Sequence, residues 1–415
     1  MEILGATVTL AFVRYISTRG QSDPVNFRGA LLGGLAPDGG LYVPETVPHL
    51  PDDPGRWSYV DAVSTSLRLF GAGDAVGLVR DAASRFDHPE IAPLVEVGDR
   101  LVLELFHGPT LSFKDHALQV LARLLARESA DGIVLGATSG DTGSAAIEAC
   151  RSTLPIVILY PEGRVSELQR RQMTTVPDEG VTVVAVRGTF DDCQALAKQA
   201  FSQIPGLLAV NSINWARVAA QVGYYLYTAA RIGESFDVVV PTGNFGNVYS
   251  SWIAREMGAP IDTIVIATNA NRYLADLVQT GHADPGQVIP THAPAMDIQV
   301  PSNLERLPVE ARRSFRAGAV DDEGIRATIA RVDADHGYLL DPHTATAWSV
   351  GGEHRSDRLQ VVVATAHPAK FPEVVEEATG RRPEVPESLA RVMDLPERYV
   401  TIDPDLGQLL GVLGR

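Results

Sequence analysis

The chain has 415 residues, enough for two or three domains with a sizeable core. Apolar residues make up 45% and charged residues 21%, the composition of an ordered globular protein rather than a disordered one. With 35 Lys and Arg against 51 Asp and Glu, the formal charge is −16. That excludes a nucleic-acid or anionic-membrane surface as the expected partner, because no surplus of cations exists to displace counterions. Small anionic ligands need only a few placed donors and stay open. The two cysteines, Cys150 and Cys193, are too few for a disulfide framework or a Cys-rich zinc site. No metal is expected, and both thiols read as buried small apolar groups in a reducing compartment. No apolar run reaches the roughly 18 residues of a membrane helix. Residues 3–13 are apolar, but Glu2 precedes them and no small-residue cleavage site follows, so they read as a strand rather than a signal peptide.

Turn signals crowd residues 20–60, as in Pro37-Asp38-Gly39-Gly40, around short strands such as Leu41-Tyr42-Val43. Residues 59–90 have helical apolar spacing. The first ninety or so residues therefore form a mostly helical region with short strands. From about residue 100 the pattern becomes strand, loop, helix, repeated. Strands are expected at 101–105, 132–136, 156–160, 181–186, 237–241, 263–267 and 359–364. Helices are expected at 117–127, from 144, at 167–173, 191–201 and 216–227, and after the loop at 242–247. Short apolar runs alternating with helices imply parallel sheets covered on both faces, with ligands at the carboxyl ends of the strands.

Two loops at such ends look built for phosphate. One is Gly136-Ala137-Thr138-Ser139-Gly140-Asp141-Thr142-Gly143-Ser144; the other is Thr242-Gly243-Asn244-Phe245-Gly246-Asn247. Glycines let the backbone turn its N–H groups toward an anion, and the following helix adds its positive end. Neither has the spacing of a dinucleotide or nucleoside-triphosphate loop. Each alone is also what a tight turn with capping residues looks like. A third segment is His107-Gly108-Pro109-Thr110-Leu111-Ser112-Phe113-Lys114-Asp115-His116. Lys114 there is either a surface lysine pairing with Asp115 or a desolvated, nucleophilic Schiff-base lysine.

Together these residues resemble the threonine synthase family, within the tryptophan-synthase-β-like pyridoxal-phosphate enzymes. The lysine segment carries the resemblance first. Tyr15-Ile16-Ser17-Thr18-Arg19-Gly20 and Gly39-Gly40-Leu41-Tyr42-Val43-Pro44 are similar to the family's N-terminal segment. The loop from Thr138 to Ala146 is similar to its substrate loop. Further similar segments are Asn211-Ser212-Ile213-Asn214-Trp215-Ala216-Arg217, the 243–247 loop, Ala295-Met296-Asp297-Ile298-Gln299-Val300 with Ser302-Asn303, and Thr365-Ala366-His367-Pro368-Ala369-Lys370-Phe371. The chain departs from the family at His116, where an aromatic often stands, and at Ala345-Thr346-Ala347-Trp348. Its N-terminus is also about ten residues longer than usual.

The resemblance implies an α/β protein of fold type II. It would have two open twisted αβα domains plus the mostly helical N-terminal region. The domains would run over 1–94, over 95–130 with 225–415 for the cofactor, and over 131–224 for the smaller unit. It implies a lyase of threonine biosynthesis, in the cytoplasm, monomeric or homodimeric, with pyridoxal 5'-phosphate as cofactor. The substrate would be O-phospho-L-homoserine, converted with water to L-threonine and phosphate. Lys114 would form the Schiff base and move protons. Gly243, Asn244, Phe245, Gly246 and Asn247 would hold the cofactor phosphate, and Thr365 would face the ring nitrogen. Asp141 would lie near the cofactor's ring oxygen or the substrate, with Phe113 packing beside the lysine. Thr138, Ser139, Thr142, Asn211, Ser212 and Arg217 would bind substrate, although Thr142 and Ser212 read equally as helix caps. His116 is expected to pack on its helix rather than act as a base. A threonine or serine ammonia-lyase, a specialised relative in secondary metabolism and an inactive cofactor-binding protein are the rival readings.

Overall fold

Runs rich in valine and isoleucine can neither face water nor leave backbone polar groups unpaired, so they pair with one another inside covered sheets. The computed structural model describes residues 13–51, 56–138 and 140–414. The expected strand at 3–13 lies almost wholly outside them. β1 (Tyr15–Ser17) pairs antiparallel with β2 (Tyr42–Pro44) around α1 (Phe27–Gly33). α2 (Tyr59–Leu69) and α3 (Val76–Ala83) complete the N-terminal region. β3 (Leu94–Val97) and β4 (Arg100–Glu104) form a hairpin, followed by α4 (Lys114–Glu128). Next come β5 (Ile133–Ala137), α5 (Asp141–Cys150), β6 (Ile156–Pro161), α6 (Glu167–Thr174), β7 (Val181–Val186), α7 (Phe190–Gln203) and β8 (Leu207–Ala209). α8 (Trp215–Ile232) leads into β9 (Phe236–Pro241), α9 (Gly246–Glu256), β10 (Ile261–Thr268) and α10 (Tyr273–Thr280). The chain closes with β11 (Phe315–Ala319), α11 (Asp322–His336), α12 (Pro342–Glu353), β12 (Leu359–Ala364), α13 (Pro372–Thr379), α14 (Glu387–Asp394), β13 (Val400–Ile402) and α15 (Leu406–Val412).

The strands form a six-stranded sheet, order β11-β10-β9-β12-β4-β3, and a five-stranded sheet, order β13-β7-β6-β5-β8. Within these two sheets all pairs are parallel except β3 with β4. Register is set by apolar matches such as Val238 with Ile264 on one side and Val361 on the other. Both orders contain a reversal. In the larger sheet β10 and β11 grow from one side of β9 and β12 stands on the other; in the smaller sheet β6 and β7 grow from one side of β5 and β8 stands on the other. Loops at such a reversal diverge to opposite faces and leave a crevice at the strand ends. The loops after β9 and β12, and after β5 and β8, are the segments singled out by their chemistry.

The pairing revises the expected division of the chain. β13 does not join the larger sheet, as an assignment of 225–415 to one unit requires. It lies beside β7, with Val400 opposite Val184 and Ile402 opposite Val186. The carboxyl-terminal segment thus crosses back to the smaller sheet.

α8 is apolar almost all round and buried from Trp215 to Ala229, as a helix inside a core must be. Its closest approach is to α2, where a Cβ on Gly223 would lie 2.6 Å from the Cα of Val63. Backbone cannot retreat as a flexible side chain can, so Gly223→Ala should cost about 1–3 kcal/mol of stability. A denaturant titration reads that loss as a lower unfolding midpoint.

Candidate active site

The loop after β4 delivers Lys114 as the first residue of α4. Asp115 tucks beneath Gly108, where a Cβ would lie 2.5 Å from its side chain. Its carboxylate accepts the Thr110 N–H and hydroxyl, both at 2.9 Å. Burial pushes its carboxyl up to about 6 against those hydrogen bonds. Asp115 is therefore taken up with its own loop and is not the partner of Lys114. The Phe113 N–H donates to the Thr365 carbonyl at 2.9 Å, which fixes the lysine loop against the end of β12. The Phe113 ring stands 4.9 Å from Lys114 Nζ. His116 does pack as expected. Its ring sits among Tyr59, Phe86 and Tyr224, with Nδ1 2.7 Å from the Tyr59 hydroxyl. Burial holds the imidazole neutral, pushed down to about 3.

Lys114 reaches across to α5. Its Nζ lies 3.3 Å from Asp141 Oδ2. Asp141 Oδ1 takes a second ammonium, Lys370 Nζ at 2.8 Å, and the Gln169 amide at 3.0 Å. Burial alone would raise the Asp141 carboxyl, but Lys370 first and Lys114 next hold it well below the usual carboxylate range. Burial holds the Lys114 amine below the ordinary lysine value. Asp141 opposes that lowering, and the Lys370 and Arg217 charges add to it.

The 242–247 loop leads into α9 with Phe245 in left-handed backbone, φ 64°. Gly243 passes under the 294–296 turn, where a Cβ would meet the Ala295 carbonyl at 2.2 Å. The Asn244 side chain donates to Ser212 Oγ at 2.5 Å and accepts the Ser302 N–H at 2.8 Å. The Asn303 amide holds the Asn244 carbonyl at 2.9 Å. Asn247 Oδ1 accepts the Tyr224 and Tyr225 hydroxyls at 2.6 and 2.7 Å.

The opposite wall comes from the ends of β5 and β8. The Thr138 hydroxyl accepts the Gly140 and Gly143 N–H groups and donates to the Gly140 carbonyl. Its proton is committed within the loop, which corrects the expectation that Thr138 donates to substrate. Ser139 lies outside the described residues. Neither Thr142 nor Ser212 caps a helix. Gly140 and Asn214 occupy those positions, and the Asn214 side chain accepts the Ala216 N–H. Arg217 is not a surface partner of a carboxylate: it is buried, its Nη1 donates to the Val210 carbonyl at 3.1 Å, and its Nε has no partner. Burial lowers it to about 10, offset in part by Tyr224.

These walls enclose one cavity of about 650 Å³. Lys114, Asp141, Arg217, Thr365 and all five residues of 243–247 line it, with Phe113, Thr138, Thr142, Asn211 and Ser212. The departures at His116 and 345–348 are not among its lining residues. The family described as pyridoxal-phosphate dependent enzyme matches residues 89–365. The threonine synthase N terminus matches 14–71 and the threonine synthase C-terminal family 344–410. Threonine synthase of Pseudomonas aeruginosa is 41% identical over 96% of this chain and 97% of its own. The chain belongs to the threonine synthase family. The crystal structure of pyridoxal-phosphate-bound threonine synthase from Brucella melitensis superimposes with a TM-score of 0.92 at 38% identity, over 97% of this chain and 98% of that one. A tomato threonine deaminase shares the fold alone, with a TM-score of 0.59 at 16% identity, over 81% of this chain and 94% of that one.

As in its family, pyridoxal phosphate is the cofactor, and this threonine synthase fold has the donors for it. The first N–H groups of α9 have no helical partners, and Gly246, Asn247 and Val248, which carry them, line the cavity. Asn247 Nδ2 is buried without a partner. Lys114 supplies the amine that an aldehyde requires. Sequence reasoning assigned no role to Lys370, Gln169, His343 or Asn303. Lys370 had a signal, a lone lysine inside the apolar Pro368-Ala369-Lys370-Phe371 turn. His343 lines the cavity with Nδ1 2.7 Å from Asp341, and its Nε2 accepts the Ala295 N–H at 3.2 Å. It thus steadies the turn that covers Gly243. Gly243→Ala should force that turn away and lower cofactor content at least tenfold at limiting pyridoxal phosphate. The visible absorbance of the purified protein, with circular dichroism to check the fold, measures it.

Proposed function

We propose that the protein converts O-phospho-L-homoserine and water to L-threonine and phosphate. The observation that carries this reading is Arg217, a buried guanidinium without a carboxylate partner, in the same cavity as Lys114. A buried cation of that kind calls for an anion, and a phosphate matches the guanidinium fork. Bound pyridoxal phosphate supplies an electron sink for carbanions next to the substrate nitrogen. The 243–247 loop holds the cofactor phosphate through backbone N–H groups and the start of α9. The Thr365 hydroxyl, at the end of β12, faces the ring nitrogen. Lys114 attaches the cofactor, is released when substrate binds, and then carries protons at the substrate's α, β and γ carbons. Asp141 keeps that amine in place. Arg217, Asn211, Ser212 and Thr142 hold the substrate phosphate. Ser212 suits this role because its oxygen accepts from Asn244 and leaves its own proton to donate. We place the protein in the cytoplasm as a monomer or homodimer, and the reducing compartment suits its two free, buried thiols.

Release of phosphate with formation of threonine from O-phospho-L-homoserine tests the reading. Deamination of serine or threonine without phosphate release would overturn it in favour of an ammonia-lyase. Lys114→Ala should abolish turnover, because the cofactor anchor and the proton carrier go together. Arg217→Gln should lower kcat/KM by on the order of 2 kcal/mol, about 30-fold, with cofactor content unchanged. Arg217→Lys should also lose activity, since a point charge does not reproduce the fork. Steady-state kinetics on the phosphorylated substrate measure both.

A further inference from the structure

Asp141 is one carboxylate between two buried amines. Lys370 Nζ is the nearer, at 2.8 Å, and it also donates to the Thr110 carbonyl at 2.9 Å. Its side chain is only 1% exposed. Lys114 Nζ is farther, at 3.3 Å, and among the described residues it donates to Asp141 alone. One carboxylate neutralises one ammonium. A second ammonium in the same buried site must keep an uncompensated charge or shed its proton. The shorter, doubly held amine, Lys370, is the closer counter-ion of Asp141. We propose that Lys370 is a positioning residue for the reaction: as the standing counter-ion of Asp141, it leaves the Lys114 amine uncharged and ready to take a proton from the substrate.

The surrounding charges agree with this assignment. Arg217 faces the same cavity from α8 and disfavours a further cation there. Asp115 is buried nearby; its carboxylate accepts from Thr110 and hydrogen-bonds neither amine, although it feels the Lys370 charge and not that of Lys114. Asp191 and His343 line the cavity from α7 and α12 without a contact to Lys114. With Lys370 absent, Asp141 would turn its full charge on Lys114 and favour the ammonium. With Asp141 absent, two amines would face each other and Lys114 would lose its proton more easily. The two substitutions therefore move Lys114 in opposite directions, which a merely structural pin does not do.

The inference rests on Lys114 being the cofactor-linked proton carrier, and the loss of turnover in Lys114→Ala tests that separately. In the full-length holoenzyme, Lys370→Met should move the acidic limb of the kcat–pH profile up by about one unit or more. In the full chain stripped of cofactor, the pH midpoint for acetylation of Lys114, read by peptide mass spectrometry, should move the same way. Asp141→Asn should move that midpoint down. The double variant Lys370→Met/Asp141→Asn should bring it back toward the native value. A Lys370→Met enzyme that is slower at every pH with an unchanged labelling midpoint overturns the proposal. If Lys370→Met does not fold, Asp141→Asn decides alone: an unchanged or raised midpoint overturns it.

Discussion

The Asp141 carboxylate and its two amines hold three ionisable groups out of water, at a cost of several kcal/mol for each that is charged. Such a cluster persists only if every remaining donor and acceptor is met. The Gln169 amide does that for Asp141 and the Thr110 carbonyl for Lys370, while Lys114 has Asp141 alone among the described residues. These partners come from distant parts of the chain. Lys114 and Thr110 belong to the loop after β4, and Lys370 to the turn after β12, both in the larger sheet. Asp141 begins α5 and Gln169 lies in α6, both covering the smaller sheet. The ion cluster therefore ties the carboxyl ends of the two sheets together across the cavity. Removal of its centre would expose unpaired charges on both sides at once.

That tie works because both sheets reverse their strand order at the cavity. The reversal between β9 and β12 splays the glycine loop from Thr365. The reversal between β5 and β8 splays Thr138 to Thr142 from Asn211 to Arg217. A crevice in each sheet faces the other. The backbone is forced at two of these points, with Leu111 at φ 56° and Phe245 at φ 64°. Left-handed backbone costs a non-glycine residue about 1–3 kcal/mol. At Leu111 the hydrogen bond from the His367 N–H holds it, and at Phe245 the ring is buried beside Phe315. Each strained residue stands within a few positions of a group assigned to the cofactor.

Local chemistry made much of this legible in the sequence. Apolar runs of five or six residues located β5, β6, β7, β9 and β12 to within a residue or two, because strands buried on both faces leave no other pattern. The glycine loops and the Lys114 segment were found for the same reason: their chemistry is contained in consecutive residues. β3 was not read as a strand, since its partly exposed edge carries no buried-strand signature. β13 was not read as a strand, and its segment was assigned to the larger unit, because three residues near the end of the chain do not encode a pairing with Val184–Val186. The hydroxyl of Thr138 looked like a ligand donor and serves its own loop, a distinction set by hydrogen-bond geometry rather than residue type. The salt bridge of Lys370 with Asp141 joins residues from opposite halves of the chain. Each is visible in a quoted motif, but nothing in either motif points to the other.

Charge arithmetic in the cavity explains how a chain of −16 can hold two phosphates. The lining and its immediate support contain three basic groups, Lys114, Lys370 and Arg217, and one carboxylate in contact with them, Asp141. Lys370 cancels Asp141. Burial works against a charge on Lys114. Arg217 is then the guanidinium of the lining without a carboxylate partner, while Asp191 and Asp297 line the cavity elsewhere. In the proposed assignment the cofactor phosphate on the 243–247 loop would meet backbone N–H groups and a helix end, whose partial charges need no cation and no counter-ion. The substrate phosphate would meet the guanidinium. The two anions would thereby be sorted by the kind of positive charge each encounters. A formal cation at the cofactor end would compete for the substrate. A second cation beside Arg217 would have to be desolvated each time the phosphate product left. Long-range attraction to a chain of this charge is unavailable, so the site depends on a few donors whose own charges have already been settled within the fold.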